Sequence, residues 1–192
     1  MRISTLFGAT LAASASFWGL AAPLTQAVQL ADGTVAFEKP PNLLSATTTY
    51  NSTYTWGATY YFTVELPANA GEPLQRVTIK QRQGFDDIDF DLEQTRAFEG
   101  TSRRKGEKLT LKEVIKDDQT KTISVTFDQP VMPGKTFTIG LRPVRNPWSS
   151  GAYIFGVTAF PAGEKSYGLY LGVGRLQFYD HDRYFPFIFR HR

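Results

Sequence analysis

Between Phe127 and Phe160 the chain twice alternates apolar and polar residues with a period of two, and this limits its fold more than any other feature. Phe137, Ile139 and Leu141 interleave with Thr136, Thr138, Gly140 and Arg142; after a loop, Tyr153, Phe155, Val157 and Ala159 resume the pattern. Successive side chains of a strand point to opposite faces, so each run predicts a strand with one face in a core. Pro133-Gly134 provides the turn into the first run, Asn146-Pro147 begins the loop that leaves it, and Pro161 and Gly163 stop the second. The unit predicts two strands of an antiparallel sandwich joined by a loop.

The same period recurs along the chain. Tyr60, Phe62, Val64 and Leu66 are expected toward the core, with Thr59, Tyr61, Thr63 and Glu65 toward water. Val77 and Ile79 make another half-buried strand, and Ile88, Phe90 and Leu92 alternate with acids in the next. Thr101 to Lys108 reads as a charged turn. Leu109 to Ile115 and Thr122 to Phe127 read as a hairpin turning at Asp117 to Thr120. Asp32-Gly33 precedes a short strand around Val35 and Phe37, and Pro40-Pro41 ends its pairing, since proline has no N–H to donate. In the last strand, Tyr167 to Tyr179, the glycines at 168, 172 and 174 predict a bend, a bulge or a close approach of another backbone. About ten short strands and no helix predict an all-β, immunoglobulin-like antiparallel β-sandwich.

Residues 28–181 are expected to form that single domain. Residues 1–27 read as a signal peptide: Arg2, then an uncharged Ala-rich run to Leu24, then Thr25-Gln26-Ala27 before the expected mature start at Val28. Residues 182–192 form a tail that combines four aromatics with three arginines and a histidine, suited either to a membrane interface or an anionic wall polymer, or to packing on the domain itself. The absence of cysteine excludes disulfides, thiolate metal sites and cysteine nucleophiles, so an exported chain of this kind relies on its apolar core. A net charge of +3 calls for no nucleic-acid partner.

Several groups of residues carry chemical potential. Asp87, Asp89, Asp91 and Glu93, with Asp86 beside them, form an acidic ladder with side chains about 7 Å apart along a strand face. That spacing is too long for one Ca²⁺ unless the backbone curls, and the expected alternative is a solvated face paired with lysines or arginines. Asp87, Asp89 and Asp91 are the candidate metal ligands. Trp56, before Gly57, and Trp148, in the loop from Asn146 to Gly151, can stack on sugars or fold down to cap the core; capping is the expected arrangement. Arg142 and Arg145 in LRPVRNPW can grip a carboxylate or phosphate, or pair with the acidic strand and lock the loop; the locking role is expected. Asp180-His181-Asp182 offers a base with an orienting carboxylate, but solvated polar side chains near a chain end are expected, and nucleophile elbows, zinc signatures and phosphate loops are missing from the sequence.

The segments DGTVAF and PP within 32–41, WGATYYFTVELP at 56–67, IDFDLEQTRAFEG at 88–100 and QPVMPGKTFTIGLRPVRNPWSSGAYIFGVTAFPAG at 129–163 resemble a secreted cyanobacterial family classed as a domain of unknown function. LRPVRNP is the most specific block. The resemblance implies export, a β-rich domain and a cyanobacterial source, and transfers no activity. The chain is therefore expected to be an exported, non-enzymatic envelope or extracellular module without a cofactor, contacting an envelope protein or polysaccharide. Membrane contact is expected through the tail alone. The alternatives are a carbohydrate-binding module using loop aromatics and, behind it, a metal-dependent hydrolase.

Overall fold

Alternation along single strands becomes, once the strands pair, two apolar sheet faces turned toward one interior. The computed structural model describes residues 28–29 and 32–180. Its strands are β1 (Val28–Gln29), β2 (Val35–Ala36), β3 (Asn42–Thr48), β4 (Tyr60–Glu65), β5 (Leu74–Gln83), β6 (Phe90–Thr101), β7 (Arg104–Leu109), β8 (Leu111–Asp117), β9 (Thr122–Val131), β10 (Thr136–Pro143), β11 (Gly151–Pro161) and β12 (Leu169–Phe178). β1 and β2 pair with each other; the rest form two five-stranded sheets, ordered β3-β4-β10-β6-β7 and β12-β11-β5-β9-β8. Every named pairing is antiparallel, as expected for the immunoglobulin-like sandwich.

The two apolar runs that dominate the sequence are the central strand of one sheet and an inner strand of the other. The loop between β10 and β11 therefore crosses from sheet to sheet. In the first sheet Phe137, Ile139 and Leu141 lie opposite Val64, Phe62 and Tyr60, all fully buried. In the second, Val157 faces Ile79 and Ile79 faces Ile123. Aromatic rings fill the space between, edge to face: Phe62 on Phe155 at 5.6 Å, Phe127 on Phe137 at 5.4 Å and Tyr153 on Phe178 at 5.4 Å between centroids.

Three local expectations change. Thr63, expected in water, is 2% exposed because its hydroxyl meets that of Thr138 at 2.9 Å, and Thr138 in turn donates to the Gly100 carbonyl at 2.7 Å. The acidic strand does not begin at Ile88: Asp86, Asp87 and Asp89 lie in the loop before β6, and only Asp91 and Glu93 are on the strand. The expected charged turn at Thr101 to Lys108 is mostly strand β7. An edge strand with both faces in solvent needs no apolar alternation, and its lysines, arginine and glutamate guard the open edge. The glycines of β12 act separately. Gly172, at φ 118°, sits where the β11–β12 register slips, whereas a Cβ on Gly174 would come 2.5 Å from the Ala46 Cβ of β3, so the two sheets meet closely there.

Candidate functional site

At one end of the sandwich the β3–β4 connection (49–59), the β5–β6 connection (84–89) and the β10–β11 crossover (144–150) come together beside the end of β12. Backbone hydrogen bonds tie them: Val144 N–H to Asp89 O and Asn146 N–H to Thr55 O, both 2.8 Å, Tyr54 N–H to Pro147 O at 3.1 Å, and Thr53 N–H to Tyr179 O at 2.9 Å. The keystone is Asn146, which is fully buried. Its Nδ2 donates to the carbonyls of Ser52 (2.8 Å) and Tyr50 (3.0 Å), and its Oδ1 accepts the Tyr60 hydroxyl at 2.9 Å. Burial pushes the Tyr60 phenol far up, so it stays a donor.

Asp86 performs the equivalent task for the 84–89 loop. Its Oδ2 accepts the Ser149 N–H at 2.7 Å and the Tyr153 hydroxyl at 3.0 Å, and its Oδ1 accepts the Ser149 hydroxyl at 3.3 Å. Burial pushes this carboxyl up, but the hydrogen bonds from Ser149 and Tyr153 together outweigh it and hold the group below its ordinary value. Burial, then the Asp86 carboxylate, push the Tyr153 phenol up to about 12. A carboxyl with a depressed folded-state value stabilises the fold above its unfolded value and loses that contribution as the pH falls through the lower one. Asp86→Asn is therefore expected to unfold more easily than the parent at pH 7, and the gap should narrow as the pH drops below about 4. Urea unfolding across that range measures it; a gap independent of pH would show that the charge of Asp86 is not what matters.

On this frame stand exposed aromatics. Tyr54 has φ 61°, in the left-handed region that a bulky residue seldom enters, held there by its N–H bond to Pro147. Its ring meets Trp148 edge-on at 4.0 Å, and the Arg145 guanidinium lies 4.1 Å from the Trp148 ring centre. Trp56 is 65% exposed and Trp148 51%, so neither caps the core as expected. The reason lies beneath them: Asn146 and Pro147 already close that end of the interior. Trp56, Trp148, Arg145, Val144, Asp87 and Asp89 line one cleft of about 190 Å³. It offers apolar ring surface, a cation and two acceptors around a single space.

The arginines do not lock the loop through carboxylates. Arg145 stacks on Trp148, and neither it nor Arg142 has an acid within 4.0 Å among the described residues. Arg142 lies opposite Asp91 in the β10–β6 register and lines a separate groove, its guanidinium passing beside Gly57 without lining the aromatic cleft. Asp87, Asp89 and Asp91 do not converge either. Asp87 pairs with Lys121, Asp89 with Lys116 at 2.8 Å, and Asp91 accepts from Gln94 at 2.6 Å. The described residues contain no cluster of three or more His, Cys, Asp or Glu suited to a metal. His181, the signal segment and the tail lie outside the described residues, while Asp180 accepts the Ser150 hydroxyl at 3.0 Å. Sequence reasoning missed Tyr54 and the roles of Asp86 and Asn146. The turn-forming run Asn51-Ser52 before Tyr54 was the available signal for the first.

Residues 34–178 match the family described as "Protein of unknown function (DUF2808)". No curated protein matches this chain. Three solved structures are similar to this chain at low identity. The first, described as manganese lipoxygenase of Gaeumannomyces graminis with a partial structure of zonadhesin of Komagataella pastoris, has 13% identity and a TM-score of 0.42 over 68% of this chain and 48% of that one, so this chain spans about half its length. The bacterial hydrophobin BslA has 12% identity and a TM-score of 0.43, covering 74% of this chain and 98% of its own. A collagen-binding domain from a Staphylococcus aureus adhesin has 11% identity and a TM-score of 0.38, with coverages of 72% and 95%.

Proposed function

Because this chain belongs to the DUF2808 family, a family of unknown function, we propose a reading from its own geometry: an exported, non-enzymatic binding module that holds a saccharide at its loop end. The observation that carries it is the pair Trp56 and Trp148, each more than half exposed, standing on loops fixed by the buried Asn146. Solvent-facing indoles on a rigid base give up little freedom on binding and present flat apolar area to a sugar face. Arg145, Asp87 and Asp89 supply donors and acceptors for its hydroxyls. Residues 1–27 serve as the export leader, and amino-terminal sequencing of the protein from the cell envelope should start at Val28.

A glycan array with the whole protein identifies the ligand, and titration of tryptophan fluorescence measures it. Trp148→Ala is expected to weaken binding about tenfold or more, roughly the loss of one stacked ring, with unfolding unchanged within about 1 kcal/mol. Equal affinity of the variant, or Trp148 shielded from acrylamide, would remove the loop end as the binding surface.

A further inference from the structure

The outer face of the β3-β4-β10-β6-β7 sheet carries a second groove, of about 240 Å³, which reaches the β3–β4 connection at Thr59 but shares no lining residue with the aromatic cleft. Four cations line it: Arg142 on β10, Arg96 on β6, and Lys105 and Lys108 on β7. No acidic residue does, and among the described residues no carboxylate comes within 4.0 Å of any of the four. The lysines that do find acids, at positions 116, 121 and 135, lie elsewhere. The chain as a whole is only +3, so this gathering is local.

The three strands are neighbours about 4.8 Å apart, and the cations are staggered along them: Arg142 lies opposite Asp91, Arg96 opposite Gly140, Lys108 opposite Phe98 and Lys105 opposite Gly100, so the charges run diagonally over the sheet, a row and not a point. The floor is low and flat at Gly140, where a Cβ would come 3.0 Å from the Tyr61 ring, and that ring lies edge-on to Phe98 at 6.2 Å. The Lys105 amine stands 5.5 Å from the Tyr61 ring centre and 5.4 Å from that of Phe98.

We propose that this groove binds an anionic polysaccharide, a sugar chain bearing carboxylates or sulfates. A row of unpaired cations matches regularly spaced acid groups along a polymer, and guanidinium forks suit carboxylate and sulfate geometry. The Tyr61 hydroxyl and the Gln94 side-chain carbonyl line the groove and suit sugar hydroxyls, while the Gln94 amide nitrogen is bonded to Asp91 at 2.6 Å. A single-stranded nucleic acid needs free ring faces for its bases. Here Phe98 is only 8% exposed and Lys105 covers both rings, which favours the sugar acid.

Binding of the full chain is measured at low and moderate salt to heparin, a sulfated polymer, and polygalacturonate, a carboxylated one. Oligo(dT) and phosphatidylglycerol vesicles serve as competing anions. At least one polysaccharide should bind, more weakly as salt rises. Arg96→Glu with Lys105→Glu should lower that affinity about tenfold or more, Arg142→Gln about threefold, and Trp148→Ala leave it unchanged. The altered side chains of the double variant are exposed, and an unchanged melting curve excludes misfolding as the cause. Undiminished binding by the double variant would overturn the assignment. So would failure of both polysaccharides to bind, or equal affinity for oligo(dT) or vesicles lost in the same variant. An equal loss in Trp148→Ala would move the site to the loop end and likewise overturn it.

Discussion

Replacing Asn146 by Ala is expected to lower the unfolding free energy by about 3 kcal/mol and to abolish ligand binding at the loop end. The variant leaves the buried Tyr60 hydroxyl and the Ser52 carbonyl without partners, and the Tyr50 carbonyl with only the Thr48 hydroxyl. Each orphaned buried group costs about 1–3 kcal/mol, so the loss far exceeds the side chain's few contacts. Asn146→Asp is the sharper test because it is nearly isosteric. It keeps the acceptor for Tyr60 but sets a carboxylate oxygen where two carbonyls require a donor, and it should be at least as destabilising. Denaturant unfolding, with tryptophan emission reporting the loop, checks both variants. A loss below about 1 kcal/mol for Asn146→Asp would mean that the carbonyls find other donors and that the loop is not held as described.

Phe155→Ala is expected to cost more, about 3–5 kcal/mol. Phe155 touches rings from the opposite sheet: Tyr60 at 6.2 Å, Phe62 at 5.6 Å and Phe90 at 6.5 Å between centroids. Its removal leaves a cavity that neither sheet can close without shifting strands already paired on both sides. Phe155→Leu, which refills most of the volume, should cost only about 1–2 kcal/mol. Similar losses for the two variants would indicate that the interior around this ring collapses freely.

Much of the fold was legible because burial on one sheet face forces a period of two. In Tyr60 to Leu66, Phe137 to Leu141 and Tyr153 to Ala159 every apolar residue expected inward is buried, while Thr63 and Thr138 depart from the period by burying their paired hydroxyls. β7 was not legible, because a strand wet on both faces is under no such constraint. The meeting of Trp56, Trp148, Arg145, Asp87 and Asp89 in one cleft was not legible as a set, since it depends on the crossover of β10 to β11 between sheets. The outward position of the indoles was hidden for a related reason. Whether an aromatic must cover the core depends on what else does, and here that is Asn146, bonded to residues 86 to 96 positions away in sequence. The acidic ladder misled because equal spacing in sequence implies a common face only if the residues share a strand, and β6 begins at Phe90.

The crossover loop has a consequence for how quickly a partner is captured. Its amides at Val144 and Asn146 are fastened to the two loops beside it, and its ends continue into the middle of both sheets. Local opening of the platform therefore requires the sheets to part, so these amides should exchange with deuterium only as fast as the whole domain unfolds. A surface that does not breathe imposes no waiting step on an arriving molecule: diffusion and fit set the association rate, and selectivity resides in how long the encounter lasts.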